Sequence, residues 1–418
     1  MTRLEKAYEL AKETYAEYGV DTDEAMKTLA SKPISLQCWQ GDDVRGFEGR
    51  GAALSGGIMA TGNYPGKAST PVELRSDLEE AMRLAPGPHR LSLHASYGEF
   101  GGPVDRDGVE PRHFDGWIAW AKHHNIGLDM NATLFSHPRS DTGFTLSSKD
   151  ASTRRFWIEH VRCSRRVAAH LGEELGTPCV HNLWIPDGMK DQCVDRAGYR
   201  SLLIDSLDTI FAEKYPSTQL IDTIESKLFG LGSEAFVVGS HDLYLGYAAS
   251  RGLGLCVDMG HYHPTESVGD KVSALLPFVK DLMIHVSRGV RWDSDHVPVT
   301  DDQLREVTSE VVRFGALGKV HLALDYFDAS INRIAAWVVG ERATRKALLS
   351  ALLEPTDRLR ELEDSGDYTG RLALLEEVRS LPLGAVWDKL CFESGVPNDR
   401  SWMRDVKRYE KNMLSKRG

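Results

Sequence analysis

The 418-residue sequence predicts an α/β chain folded as a (β/α)8 TIM barrel, with helical segments added at both ends. Three observations carry that expectation. Eight short β-rich runs alternate with segments of helical periodicity, the pattern of repeated βα units. The runs are apolar at consecutive positions, as parallel strands covered on both faces must be. The repeat also fills about 300 residues, the length such a barrel needs.

Taken in order, residues 1–30 read as an N-terminal helical segment, with Asp21 or Thr22 as a candidate cap. The barrel is expected over residues 31–328. Its strands are PISLQCW from Pro33, RLSLHAS from Arg90, NIGLDMNAT from Asn125, TPCVHNLWIP from Thr177, TQLIDTIES from Thr218, GLGLCVDMGH from Gly252, DLMIHVS from Asp281 and KVHLALDYF from Lys319. Between them, segments such as VELRSDLEEAMRL from Val72, HFDGWIAWAKHH from His113, STRRFWIEHVRCSRRVAAHL from Ser152 and DDQLREVTSEVVRF from Asp301 repeat apolar residues at helical spacing. Residues 41–68 lack strong periodicity and hold eight glycines, and a loop of that length in a compact protein serves function or motion. Residues 329–418 read as an almost wholly helical C-terminal extension. Its apolar stripes exceed what one barrel can cover, so part of that surface is expected to meet another subunit.

Composition narrows the function. With 50 basic and 61 acidic residues the net charge is −11, which repels a phosphate backbone and argues against a nucleic-acid partner. No apolar run reaches the roughly 18 to 20 residues of a membrane helix, and the charged N-terminus lacks a signal-peptide core, so a cytoplasmic protein is expected. The six cysteines, Cys38, Cys163, Cys179, Cys193, Cys256 and Cys391, form no CxxC pair and read as small buried hydrophobes or scattered thiols. Neither GxSxG nor GxxxxGK[ST] occurs, which leaves serine-nucleophile and phosphate-loop chemistry without support.

In a barrel the C-terminal strand ends converge on one mouth, so the side chains there are the informative ones. They are His94 after strand two, Glu225 after strand five, Asp258 after strand six, His285 after strand seven and Asp325 after strand eight. His261 and His263 follow strand six, and Asp293, Asp295 and His296 follow strand seven. A lone strand-end aspartate usually caps the next helix, but a succession of such ends outweighs that reading. Converging carboxylates repel one another unless a cation neutralises them. Hard oxygen donors with an imidazole suit Mn²⁺, Mg²⁺ or Co²⁺ alike, and no cysteine lies at a predicted strand end to favour zinc. Glu225, Asp258, His285 and Asp325 make one rigid set, while His261, Asp293 and Asp295 make a second set on loops, open to water and substrate. Lys227, two residues beyond Glu225, shares its inward strand face and stands ready for a substrate oxygen. Trp184 ends strand four and Trp39 ends strand one; each is read as a wall of the site, with plain core packing as the alternative, and Trp337 as structural.

Seven motifs then carry a resemblance: CWQGDD from Cys38, GNYPGKA from Gly62, NLWIPDGMKD from Asn182, ESKLFG from Glu225, DMGHYHPTE from Asp258, HVSRGVRWDSDHV from His285 and LDYFDASINRIAAWVVG from Leu324. In that order, over essentially the whole chain, they closely resemble the L-rhamnose isomerase family. The resemblance implies a xylose-isomerase-like barrel and a cytoplasmic homotetramer that converts L-rhamnose to L-rhamnulose with Mn²⁺. It implies catalytic-metal ligands at His261, Asp293 and Asp295, and structural-metal ligands at Glu225, Asp258, His285 and Asp325. Lys227 matches the family's contact to sugar O1 and His94 its histidine near the ring oxygen, while Val44, Leu54, Ile58 and Tyr97 match the pocket for the 6-methyl group.

The chemistry expected of these residues is ring opening followed by movement of hydrogen from C2 to C1. A metal-bound water held by Asp325 or Asp293, with His94 assisting at O5, suits the first step. A hydride shift suits the second; an enediol route needs a carboxylate over C1 and C2 and stays the alternative. Two rival functions remain on the same residues. A metal-dependent hydrolase of the phosphodiesterase or abasic-site endonuclease type predicts a basic groove, which the net charge disfavours. A non-catalytic sugar- or metal-binding protein leaves Lys227 and the Asp293/Asp295 pair without a task.

Overall fold

The computed structural model describes residues 1–48, 60–230, 232–398 and 401–417, with the backbone alone for residues 292–294. The expected barrel is present. Its strands are β1 (Ile34–Gln37), β2 (His89–His94), β3 (Gly127–Asn131), β4 (Cys179–Trp184), β5 (Leu220–Glu225), β6 (Gly254–Asp258), β7 (Leu282–Val286) and β8 (Val320–Leu324). Each pairs in parallel with its chain neighbours, and β8 returns to β1 through Ser35 opposite Ala323, which closes the sheet.

Helices α1 (Arg3–Glu17) and α2 (Thr22–Ala30) precede the barrel. The side chain of Asp21 caps α2 by accepting from the Asp23 and Glu24 amides. Around the barrel run α3 (Pro71–Met82), α4 (Asp115–His124), α5 (Ala151–Leu175), α6 (Arg196–Phe211), α7 (His241–Arg251), α8 (Gly269–Leu275), α9 (Asp302–Arg313) and α10 (Arg333–Leu352), one after each strand. Local chemistry sets their ends: Pro71 opens α3 behind the capping hydroxyl of Thr70, and α5 stops at Gly176, whose φ of +63° a side chain would resist. The stretch read as an extension from residue 329 thus begins with the eighth barrel helix. α10 packs against α9 and α3, and its buried Trp337 donates from Nε1 to the Gln37 carbonyl at 2.8 Å. Four further helices follow, α11 (Thr356–Asp364), α12 (Tyr368–Glu377), α13 (Leu383–Glu393) and α14 (Ser401–Asn412). α13 covers α1, while Tyr368, Leu372 and Phe392 stay exposed. Among the described residues no helix is long and apolar enough to cross a membrane.

The barrel interior explains where the site sits. Inward side chains recur every second residue along a strand. At the lower rung Arg90 and Asp129 form an ion pair at 2.8 Å, which the Ser35 hydroxyl joins. Val180, Cys256, Met283 and Ala323 form a small apolar floor. Two residues further along the same four strands stand Asn182, Asp258, His285 and Asp325. Register places Trp184 opposite Glu225 and Asp258 opposite His285, and the stagger of the strands brings donor atoms of Glu225, Asp258, His285 and Asp325 together at the mouth.

Candidate metal centre and sugar cavity

A cavity opens at the C-terminal strand ends, where a barrel of this kind gathers its ligand-binding side chains. Its lining is part aromatic and apolar, with Trp39, Val44, Phe135, Trp184 and Phe327, and part ionic, with Glu225, Lys227, His261, His285, Asp295 and Asp325.

At its base Glu225, Asp258, His285 and Asp325 bring one donor atom each within 4.8 Å of the others. His285 is central: Nδ1 lies 3.0 Å from Asp325 Oδ2, 3.3 Å from Glu225 Oε2 and 3.6 Å from Asp258 Oδ2. None of these approaches has hydrogen-bond geometry. Among the described residues, both ring nitrogens of His285 and Asp258 Oδ2 are buried without a hydrogen-bond partner. Buried polar atoms are rarely left so, and potential ligand atoms converging from four residues suit a cation.

The remaining oxygens are fixed from outside. Asp258 Oδ1 accepts from the Gly260 amide at 2.6 Å and the Ser287 hydroxyl at 2.8 Å. Asp325 Oδ1 accepts from Trp39 Nε1 at 3.1 Å, and Glu225 Oε2 accepts from Asn182. His261 places Nδ1 3.1 Å from the Ser226 carbonyl and 3.0 Å from Glu225 Oε1. Donation to those oxygens leaves the lone pair on Nε2, the tautomer a metal ligand needs. Burial alone would raise the Glu225 carboxyl, but His285 and His261 outweigh it and hold it well below its ordinary range. For Asp325 burial prevails over His285 and the group is raised. Burial would lower His285, yet the surrounding acidic groups and Cys256 hold it well above an ordinary histidine.

The other sequence-derived residues divide. Lys227 lines the cavity with Nζ 5.0 Å from the centre of the Trp184 ring, a cation–π arrangement that joins two of the expected substrate contacts. Asp295 lines it too, from the antiparallel ribbon of Arg288–Val290 and Trp292–His296 that follows β7. The Asp293 side chain, and Leu54 and Ile58, lie outside the described residues. Val44 is a cavity wall, whereas Tyr97 is fully buried, lines no part of the cavity and donates its hydroxyl to Asp42 at 2.6 Å. His263 is exposed on its loop, paired with Thr265.

His94 sits edge-on to Trp39, with ring centres 4.8 Å apart, and its Nδ1 lies 3.3 Å from the Thr133 hydroxyl. Burial and the Arg106 guanidinium lower it to about 3, so it is a neutral imidazole across the physiological range.

Sequence reasoning missed the scaffold behind His94. Fully buried His160 of α5 accepts the Thr133 amide on Nε2, and its Nδ1 lies 3.0 Å from the Arg106 carbonyl. Arg106, itself buried, pairs with Glu48 at 2.9 Å and donates to the carbonyls of Thr133 and Phe135. Sequence spacing gave no signal for this set, because its members come from three separate loops and a helix. Asn182 was legible: it precedes Trp184 by two and so shares its inward face. Cys256 also stands nearer the chemistry than a strand-interior thiol suggests, within 4.8 Å of donor atoms of Glu225 and His285.

His160 yields a pH prediction. Burial first, then Arg106, lowers its pKa to about 3 in the folded chain. The unfolded chain binds more protons between an ordinary histidine's pKa near 6.5 and that value, so stability falls as pH drops through this window. The expected contribution is about 1 kcal/mol per pH unit, read by denaturant unfolding at pH 6.5 and pH 4.5. His160→Asn should shallow that slope; an unchanged slope would show that His160 is charged in the native state.

A nucleic-acid hydrolase would need a basic groove, and among the described lining residues Lys227 is accompanied by no arginine or second lysine. The family model and the curated relatives agree with the sugar reading. The family model described as L-rhamnose isomerase (RhaA) matches residues 2–417. A protein of Salmonella gallinarum named L-rhamnose isomerase is 56% identical over 416 residues, covering 100% of this chain and 99% of that protein. One of Salmonella paratyphi B with the same name matches to the same extent. Among solved structures, D-psicose 3-epimerase with D-tagatose from Clostridium cellulolyticum H10 superposes with a TM-score of 0.45 at 13% identity, covering 72% of this chain and 99% of that one. Site geometry, the full-length family match and the extent of identity lead to one conclusion: the chain belongs to the L-rhamnose isomerase family, aldose–ketose isomerases.

Proposed function

We propose that the chain opens the ring of L-rhamnose and converts the aldose to L-rhamnulose by a 1,2-hydride shift, with Mn²⁺ as the preferred ion and Co²⁺ or Mg²⁺ as substitutes. The observation that carries the metal assignment is the convergence of Glu225, Asp258, His285 and Asp325, with buried donor atoms that nothing else among the described residues satisfies. These four would hold a structural ion; His261, Asp293 and Asp295 would hold a catalytic one. When bound, the ions supply Lewis acidity to neighbouring sugar oxygens and stabilise the charge that develops on them. Because the groups around His285 favour its protonated form, binding of an ion there would displace that proton.

The chain's own groups do the rest. Lys227, steadied by the Trp184 face, offers its ammonium to O1. Neutral His94 has Nδ1 engaged by Thr133, which leaves Nε2 to serve O5 as the ring opens. Asp325, fixed on one oxygen by Trp39, is the carboxylate placed to move a proton during ring opening. Val44, Trp39, Phe135 and Phe327 exclude water from the apolar end of the sugar. The assembly we propose is a homotetramer in the cytoplasm; exposed Tyr368, Leu372 and Phe392 on the C-terminal helices support further subunit contacts, and six free cysteines fit a reducing compartment.

The test is a Mn²⁺ titration of L-rhamnulose formation in tritiated water. Wild type should gain turnover with Mn²⁺ and form ketose with little tritium at C1. Asp293→Asn should fold normally yet lose about 100-fold or more in turnover, since a lost ligand removes several kcal/mol of transition-state stabilisation. Absence of ketose at every Mn²⁺ concentration would refute the reading, and stoichiometric tritium at C1 would replace the hydride route with an enediol.

A further inference from the structure

Val44 walls the cavity in a backbone conformation that its own side chain opposes. Its φ is +61°, and Asp43 before it has the same value. Left-handed backbone is uncommon for any residue but glycine, and a β-branched residue there is strained. Such strain persists only where the surroundings impose it.

The imposing groups are identifiable. Arg333, at the start of α10, donates from Nε to Asp43 Oδ1 at 2.8 Å and from Nη2 to Asp43 Oδ2 at 3.0 Å. Its third nitrogen, Nη1, reaches the Tyr64 carbonyl at 2.7 Å and that of Pro65 at 3.3 Å. Arg333 is 4% exposed and occupies a helix N-terminus, where the helix dipole disfavours a cation. A guanidinium kept against that preference is held for its partners, and a bidentate fork fixes direction as well as distance. Buried Asp42, just before Asp43, accepts the Tyr97 hydroxyl and, at 2.8 Å, the amide of Gly46 beyond Val44, while the Val44 amide donates to the Trp39 carbonyl at 3.1 Å. The chain is thereby pinned before, at and after the strained residue, and Val44, 6% exposed, turns its side chain to the cavity.

We propose that Arg333 and Asp43 form a latch that holds Val44 in this conformation, which makes them positioning residues for selectivity at the apolar end of the sugar. The proposal rests on the isomerase reading for its substrate and on the backbone geometry for the latch itself. L-Mannose, which is L-rhamnose with a hydroxyl on C6, is the discriminating probe.

With Mn²⁺-loaded enzyme, Arg333→Lys keeps the charge and loses the fork. It should raise KM for L-rhamnose and leave kcat within about twofold, and the preference in kcat/KM for L-rhamnose over L-mannose should fall about tenfold, the scale of one apolar contact. Mn²⁺ affinity, read by calorimetry, should not change. In a Val44→Gly background the Arg333→Lys effect on the preference should vanish, because no side chain remains to be positioned. Separately from turnover, Val44→Gly should melt higher than Val44→Ala, the order a left-handed position dictates. An unchanged sugar preference in Arg333→Lys, or an equal effect of that change with Val44 already removed, overturns the latch. So does Val44→Ala melting at or above Val44→Gly. If wild type forms no ketose, the isomerase reading falls and the melting order alone decides the latch.

Discussion

Replacing His285 with alanine is expected to lower L-rhamnulose formation by more than about 1,000-fold even at saturating Mn²⁺. His285 is the one imidazole among three carboxylates, and its Nδ1 approaches all of them between 3.0 and 3.6 Å. Removing it takes away a ligand and, at the same time, the positive partner of buried Glu225, Asp258 and Asp325. Breaking a buried charge cluster on one side costs about 3–5 kcal/mol, because the remaining charges cannot be resolvated. The pH sign follows from Glu225. Burial raises its carboxyl, but His285 ahead of His261 depresses it overall, so its contribution to stability is present above the ordinary glutamate pKa and fades as pH falls through the depressed value. His285→Ala removes that contribution, and the stability difference between the two proteins should be greatest near neutral pH. Thermal melts should also separate them by metal response: Mn²⁺ raises the wild-type midpoint by mass action and does little for the variant. Turnover within tenfold of wild type would remove His285 from the metal centre and with it the assignment of the whole set.

What made this centre legible in the sequence is the strictness of parallel strands. A residue at the end of a barrel strand has one mouth to face, and its neighbour two residues earlier faces the same interior, so Glu225, Asp258, His285 and Asp325 could be gathered from four distant segments by their strand positions alone. The eight strands were equally plain, since consecutive β-branched and aliphatic runs between helical stretches admit few other folds. Loops have no such rule. Val44 was placed at the cavity through the family likeness and not through periodicity, and nothing in DDVRG announces two successive left-handed residues. Tyr97 was grouped with the apolar wall for the same reason, whereas its buried hydroxyl is spent on Asp42. His160 and Arg106 lay in segments whose spacing speaks only of helix faces and turns, yet their side chains set the carbonyls and amide behind His94. A charged residue in a helix is the hardest to judge, because i,i+4 pairs look alike on a wet surface and in a dry core.

Glu341 and Arg345 are such a pair, and Glu341→Ala is expected to cost about 3–5 kcal/mol of stability while leaving kcat and KM at 25 °C within about twofold. On an exposed helix the pair would contribute about 0.5 kcal/mol. Here both side chains are fully buried in α10, 2.9 Å apart. The pair is also a joint. His89, which opens β2, has Nδ1 2.8 Å from Glu341 Oε1, and Arg345 donates to the carbonyls of Pro88 at 2.6 Å and Lys32 at 3.2 Å. One ion pair thus ties the last barrel helix to the starts of the first two strands. The joint has no slack: a Cβ added at Gly87, which sits at φ +100°, would lie 2.5 Å from Arg345 Nη1. Without Glu341 the guanidinium keeps its carbonyls but loses its only carboxylate among the described residues, an uncompensated buried charge. These contacts lie at the N-terminal ends of the strands, whereas the candidate metal centre and its cavity lie at the C-terminal ends, and in barrels of this kind the two ends divide stability from chemistry. Denaturant unfolding and steady-state kinetics on the same preparation therefore separate the claims. Glu341→Gln, which keeps the shape and the accepting oxygen, should fall between wild type and alanine in stability. A Glu341→Ala protein of wild-type stability would show that the pair is not sealed from water, and a loss of turnover well beyond twofold would show that this joint is coupled to the mouth through β1 and β2.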